Sequence, residues 1–172
     1  ERGFGHFMTR RFDRPPDGKL HMHSLGGMQH VDFNEQFAFS YEDYFRTIRA
    51  LHLGQPAVNE AYRRMVFSFA TLNRDDHVNN FSFLMDDEGR WRLAPAYDLA
   101  YAAHSPWTRQ HQMSANGKHI GFIRKDLLEV GERFDVPHGG REIMERVVES
   151  LALWTPTALD AGLGREWTRT LE

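Results

Sequence analysis

Residues 81 to 94, FSFLMDDEGRWRLA, constrain the geometry of this chain more than any other stretch. Two apolar runs, 81–85 and 91–94, flank the polar loop DDEGR, and Gly89 is free to take a positive φ, which is the pattern of a β-hairpin. Antiparallel strands carry the chain back to its starting point. Asn80, just before the first strand, and Asp98, just after the second, are therefore expected side by side. Immediately upstream lies a dense polar cluster, NRDDHVNN, which includes Asp75, Asp76, His77, Asn79 and Asn80.

The chemistry of that meeting point is specific. Asp75, Asn80 and Asp98 offer two carboxylates and an amide oxygen, hard ligands able to hold Mg²⁺ against phosphate oxygens while one carboxylate accepts a hydroxyl proton. Mg²⁺ keeps several of its waters, so two protein ligands suffice.

Around this centre the pattern is mostly helical, and the fold class expected is α+β. Ser40 can cap a helix carrying Tyr41, Phe45, Ile48 and His52 at helical spacing, ending at Gly54. After Pro56, the residues Val58, Tyr62, Met65, Val66, Phe69 and Leu72 mark a second helix, and Phe67 on another face predicts burial nearly all round. Helices are also expected over 126–133 and 140–154, the latter with Ile143, Met144, Val147, Val148 and Leu151 in one stripe, followed by a short tail around Leu159 and Trp167 with Pro156 as punctuation. Near the start, residues 4–12 read as a strand stopped by DRPPDG. Residues 19–23 alternate again and can pair back on it, and Gly26 and Gly27 break the chain.

Bulk properties exclude several alternatives. A chain of 172 residues suits one domain, and a net charge of −3 provides no basic field for nucleic acid. No apolar run is long enough to cross a bilayer, so a cytoplasmic protein is expected, and the absence of cysteine removes thiolate and disulfide chemistry. Glu1 at the start suggests a chain cut from something longer.

DDHVNNFSF, read as D-x-H-x-x-N, followed by LAPAYDL, resembles the C-terminal lobe of the HipA-like serine/threonine kinases of bacterial toxin–antitoxin modules. The same order is similar to the catalytic loop of lipid kinases. RRFDR resembles the family's hinge strand, and SANGK a patch that often follows its metal-binding segment. The resemblance runs over nearly the whole chain in the right order.

It implies a kinase-like C-lobe over residues 1–172, with a short hinge strand and a hairpin carrying metal ligands. Asp75 would be the catalytic base, and Asn80 and Asp98 the Mg²⁺ ligands. Arg10 to Phe12 would lie at the adenine of ATP, with Asp13 near the ribose. It further implies a protein substrate from the translation machinery, a helix-turn-helix antitoxin as partner, and DNA reached only through that antitoxin. The glycine-rich cover and strand lysine that grip ATP phosphates are expected in an N-terminal lobe absent from these residues, since Lys19, Lys118 and Lys125 all follow the hinge-like strand. A fragment without that lobe is expected to be weakly active or inactive.

Other polar groups receive plainer readings. Asp76 departs from the small residue frequent after the base, and is expected to face solvent, so that Asp76→Gly would leave turnover nearly intact. His77 is expected to fix its loop by a hydrogen bond rather than to bind metal, because soft-metal sites gather several His or Cys. His21 and His23 share a strand face as an exposed or packing pair. Gly3 and Gly5 lack the rest of a nucleotide loop. Tyr97, Tyr101 and Trp107 suit packing or a cleft wall, and Arg10, Arg11 and Arg14 a solvated face.

Two other functions fit the same residues less fully. A metal-dependent phosphohydrolase built on Asp75, Asp76, His77 and Asp98 would need more bridging carboxylates. A non-catalytic module binding nucleotide or a partner would have no need of Asp75, Asn80 and Asp98 together.

Overall fold

Alternation of apolar residues in residues 81–94 produces the hairpin as expected, and a third strand joins it. The computed structural model of the chain describes residues 8–35 and 37–170. Strands β1 (His21–Ser24), β2 (Ser82–Met85) and β3 (Trp91–Leu93) form one antiparallel sheet in that order. Met22 faces Leu84 across the first pair and Leu84 faces Arg92 across the second. Gly89 turns the hairpin loop at φ 78°. Central β2 is buried over Ser82, Phe83 and Leu84, because it is covered on both edges.

The first strand departs from expectation. Residues 4–7 lie outside the described residues, and residues 8–11 carry no strand. Strand β1 instead takes its partner from the hairpin. The DRPPDG turn does form, with Gly18 N–H donating to the Pro15 carbonyl and Leu20 N–H to that of Asp13.

Gly26 and Gly27 do not interrupt the chain but sit inside a short helix, α1 (Leu25–Gln29), capped by Ser24. Gly26 is needed for close approach: a Cβ there would stand 2.7 Å from Asn79 Oδ1 and 2.8 Å from a Val78 methyl. The absence of a side chain lets α1 press against the single 3₁₀ turn Val78–Asn80.

Two long helices supply the main packing surface. Helix α2 (Tyr41–Ala50) starts at Ser40, whose hydroxyl accepts the Asp43 N–H. Helix α3 (Gly54–Ala70) carries Pro56 in its first turn, where no backbone donor is needed. Burial of α3 is one-sided rather than all round: Val58, Tyr62, Met65 and Val66 are buried, Phe67 is half-buried, and Arg63 is exposed and paired with Glu60.

The remaining helices are α4 (Arg124–Arg133), α5 (Arg141–Leu151), α6 (Trp154–Asp160) and α7 (Arg165–Thr170). The single helix expected over 140–154 ends at Leu151, and α6 then begins at Trp154 with Pro156 in its first turn. On α5, Met144 and Val147 enter the core, while Val148 is 65% exposed, so the apolar stripe is wider than the face it buries.

Tyr41, Tyr44 and Phe45 of α2 meet Phe81 and Phe83 of the hairpin in one aromatic cluster, with ring centroids 5.0 Å apart for Tyr44 and Phe81. Burial of several large rings at once makes this a strongly stabilising contact. It also fixes the hairpin relative to α2, and so positions the polar turn between α3 and β2.

Candidate functional site

The polar cluster is the connection between the end of α3 and β2, and it is held from three directions. Asn73 N–H donates to the Ser68 carbonyl and Arg74 N–H to that of Ala102. At the other end, Asn80 Nδ2 donates to the Asp75 carbonyl at 2.8 Å, closing the turn on itself. With its nitrogen committed in this way, Asn80 Oδ1 is the acceptor of the amide that has no hydrogen bond among the described residues.

The hairpin then carries its exit back to this turn. Ala94 N–H donates to the Ser82 carbonyl, and Arg64 of α3 donates to the Ala94 carbonyl at 2.9 Å. Three residues on, the Tyr97 hydroxyl donates to the Asn79 carbonyl at 2.6 Å and accepts from the Ser82 hydroxyl at 2.5 Å. Asp98 and Asn80 are the chain neighbours of this Tyr97–Asn79 contact. Asp98 sits in left-handed backbone at φ 53°, a conformation aspartate tolerates better than most residues. Its carboxylate is exposed and has no hydrogen bond or ion pair among the described residues. Burial raises the Tyr97 phenol above its usual range, and the negative charge of Asp98 pushes in the same direction.

Asp75 and Asp76, adjacent in sequence, occupy opposite environments. Asp75 is half-buried, and its carboxylate has no hydrogen bond or ion pair among the described residues. Asp76 is 1% exposed and accepts three hydrogen bonds: from the Tyr41 hydroxyl at 2.8 Å, His111 Nδ1 at 2.9 Å and the Gln112 N–H at 2.8 Å. Facing a carboxylate, the His111 Nδ1 carries the proton. Burial, with the Asp76 charge second, holds the Tyr41 phenol far above its usual range. The expectation that Asp76 faces solvent is overturned. Three donors converge on it from α2 and from residues 111–112, and sequence spacing cannot show a partner 35 residues away.

His77 does not make the loop-fixing bond expected of it. Its Nδ1 is buried without a hydrogen-bond partner among the described residues, and its ring packs at 5.5 Å from that of Phe33. His21 and His23 are a packing pair as expected, edge to face at 5.9 Å, with Trp91 against His21. Among the described residues no group of three or more His, Cys, Asp or Glu side chains is placed to hold a metal.

The hinge-like segment borders a cleft of about 560 Å³ lined by residues including Arg11, Asp13, Arg14, Lys19, Asn79 and Tyr97. Its size is ordinary for a small-molecule site, and its cationic side chains suit phosphate. Asp13 is buried and clamped, accepting two bonds from Arg11 at 2.9 and 2.7 Å and one from Arg14 at 2.6 Å. The Arg11 guanidinium, chiefly through these hydrogen bonds, keeps its carboxyl below the usual range. The arginines are exposed, yet two of them anchor Asp13 rather than only facing water. Arg10 and Phe12 do not line the cleft, though the Phe12 ring lies 5.8 Å from that of Tyr97, which does. Asp75, Asn80 and Asp98 are likewise absent from that lining, and Asn79 forms the wall beside them. Tyr97 is thus a cleft-wall residue, whereas Tyr101 is exposed against His104 and the Trp107 carbonyl accepts from Gln112. Gly3 and Gly5 lie outside the described residues.

SANGK serves as a structural latch. Asn116 N–H donates to Glu42 of α2, its amide donates to Asp126 and Glu129 of α4, and Lys118 pairs with Asp126 at 2.8 Å. This latch lies a few residues beyond His111 and Gln112, and so steadies the segment that reaches Asp76.

No described helix is long and apolar enough to cross a membrane. A family model, the HipA-like C-terminal domain, matches residues 2–154. A Haemophilus influenzae protein named "Putative kinase" is 31% identical over 112 residues, covering 58% of this chain and 32% of that protein. "Putative kinase Y4dM" of Sinorhizobium fredii is 30% identical over 90 residues, covering 52% of this chain and 22% of its own length. The chain therefore spans about a third or less of the curated relatives it matches.

Proposed function

Since the chain belongs to the family of HipA-like C-terminal domains, we propose that it forms the C-terminal lobe of a kinase that transfers the γ-phosphoryl group of ATP to a Ser or Thr hydroxyl of a protein. The observation that carries this reading is the pairing of a committed amide with free carboxylates. Asn80 spends its nitrogen on the Asp75 carbonyl, which presents Oδ1, while the Asp75 and Asp98 carboxylates have no hydrogen bond or ion pair among the described residues.

In this reading Asn80 and Asp98 would hold Mg²⁺, which would supply charge neutralisation for the transferring phosphoryl group. Asp75 accepts the proton of the attacking hydroxyl. The cleft bordered by Arg11, Asp13 and Arg14 takes the nucleotide, with the clamped Asp13 toward the ribose; Arg10 and Phe12, which do not line it, could meet the adenine only from beyond its wall. A protein acceptor, a helix-turn-helix antitoxin partner and a cytoplasmic setting belong to the same proposal, on the strength of the family alone. So does a second lobe supplying the glycine-rich cover and the lysine.

The test is transfer of labelled γ-phosphate from ATP to protein by the intact protein that carries this chain. Transfer should require Mg²⁺ and fall by about 10²-fold or more in Asn80→Ala and in Asp98→Ala. Phosphate release from a simple ester without ATP would favour a phosphohydrolase. Nucleotide binding indifferent to Mg²⁺, with no transfer, would favour a binding module.

A further inference from the structure

We propose that Asp76, held by His111 and Tyr41, is a positioning residue that aims the Asp75 carboxylate, an inference that rests on the kinase reading above. The Asp75 carboxylate has no hydrogen bond or ion pair among the described residues to orient it, so its direction is set by the backbone that carries it. That backbone is clamped on one side by Asn80 Nδ2 on the Asp75 carbonyl and on the other by the three bonds to the Asp76 side chain. Those three donors come from separate parts of the fold: the first residue of α2, and two residues of the segment that SANGK latches to α2 and α4.

The arrangement has a chemical logic. A base that is itself hydrogen-bonded has its acceptor oxygens occupied, whereas a base left free must be aimed from elsewhere. A buried carboxylate on the adjacent residue does this, because leaving any of its three donors unpaired is costly and the turn cannot shift without breaking one. The His111 ring is itself immobilised, packed edge to face on Phe69 at 4.6 Å and near Phe122 at 5.6 Å, so the donor at Nδ1 is fixed in space. A shift of about 1 Å in a reacting group can cost about 10²-fold in rate.

The choice of variants follows from the hydrogen-bond chemistry. Asp76→Asn keeps the shape and can fold, since the Tyr41 hydroxyl can turn to accept and His111 can move its proton to Nε2. It replaces one charge-assisted anchor by a weaker one. His111→Asn retains a donor where Nδ1 stands; His111→Phe does not.

The experiment measures phosphoryl transfer from Mg²⁺·ATP in the intact protein for the wild type, Asp76→Asn, Asp75→Asn and the double variant. Asp76→Asn should lower kcat by about 10- to 100-fold, with KM for Mg²⁺·ATP unchanged within about twofold. In the Asp75→Asn background it should change kcat by less than about twofold, because there is no longer a base to aim. His111→Phe should behave as Asp76→Asn does, and His111→Asn should recover most of the loss. If Asp76→Asn does not yield folded protein, Tyr41→Phe replaces it in the same cycle, with a smaller fall in kcat and the same insensitivity without Asp75. An equal fall in both backgrounds, a rise in KM at constant kcat, or no effect would overturn the positioning role. Wild-type transfer by Asp75→Asn would instead remove the base assignment itself, and the inference with it.

Discussion

Asp75 and Asp76 are neighbours with the same side chain, yet one is free of hydrogen bonds and ion pairs among the described residues and the other accepts three. The difference is what the proposed roles require of one short turn, an open carboxylate beside an anchored one. A carboxylate available to a proton or a metal cannot also be fully satisfied by the protein. A carboxylate buried without water is tolerated only when its acceptors are filled. The two requirements are incompatible in one residue and compatible in two.

Substitutions can separate these roles. The largest expected effect is on catalysis: Asp75→Asn should reduce phosphoryl transfer by about 10²- to 10⁴-fold while leaving the urea midpoint of unfolding nearly unchanged, since its carboxylate makes no hydrogen bond or ion pair among the described residues. Asp76→Ala should do the reverse in stability, lowering it by about 3–5 kcal/mol by stranding buried donors, as read by urea denaturation. A variant pair in which both substitutions cost the same stability would erase the contrast.

Smaller effects test what holds the turn from outside. Gly26→Ala forces a Cβ against Asn79 and Val78 and should cost about 1–3 kcal/mol, visible as a lower thermal midpoint. Ser40→Ala removes the cap of α2, one residue before the Tyr41 donor, and should cost about 1 kcal/mol by the same measurement. Another buried carboxylate, Asp126 in the SANGK latch, gives a pH signature. Hydrogen bonding to Lys118 first, and to the Ile123 N–H next, lowers its pKa. Its contribution is therefore complete above the unfolded carboxylate pKa of about 3.9 and is lost as pH falls through the lower folded value. Asp126→Asn should remove that acid-dependent part, so that the stability gap between variant and wild type narrows below about pH 4.

Local pattern made much of this fold legible. Ser40 as a cap, the hairpin around Gly89 and the helical spacing of α2 and α3 are local signals, and the structure follows them. The failures are all cases where distant contacts decide. Residues 8–11 alternate as a strand would, but β1 finds its partner in β2, more than 50 residues away. Gly26 looks like a breaker because its role, admitting the 78–79 turn, depends on a segment the local pattern does not contain. Val148 belongs to the apolar stripe of α5, yet it is left 65% exposed among the described residues. At the site, the D-x-H-x-x-N order and the hairpin drew attention to Asp75, Asn80 and Asp98 together. Asp76 and His77 depart from expectation for one reason: whether a polar side chain near a turn is satisfied depends on what the rest of the chain brings to it. Tyr41, His111 and Gln112 have no sequence signal as partners of Asp76, and Tyr97 only that of a cleft wall.

On the proposed reading, Asn80 and Asp98 present oxygens to a hard cation beside the open Asp75 carboxylate. Calorimetric titration of ATP into the intact protein, with and without Mg²⁺, tests it most directly. Mg²⁺ should tighten binding by about tenfold or more, a coupling of about 1.4 kcal/mol, and Asp98→Asn and Asn80→Ala should each abolish the gain. Equal affinity with and without Mg²⁺, or a gain that survives both substitutions, would contradict it.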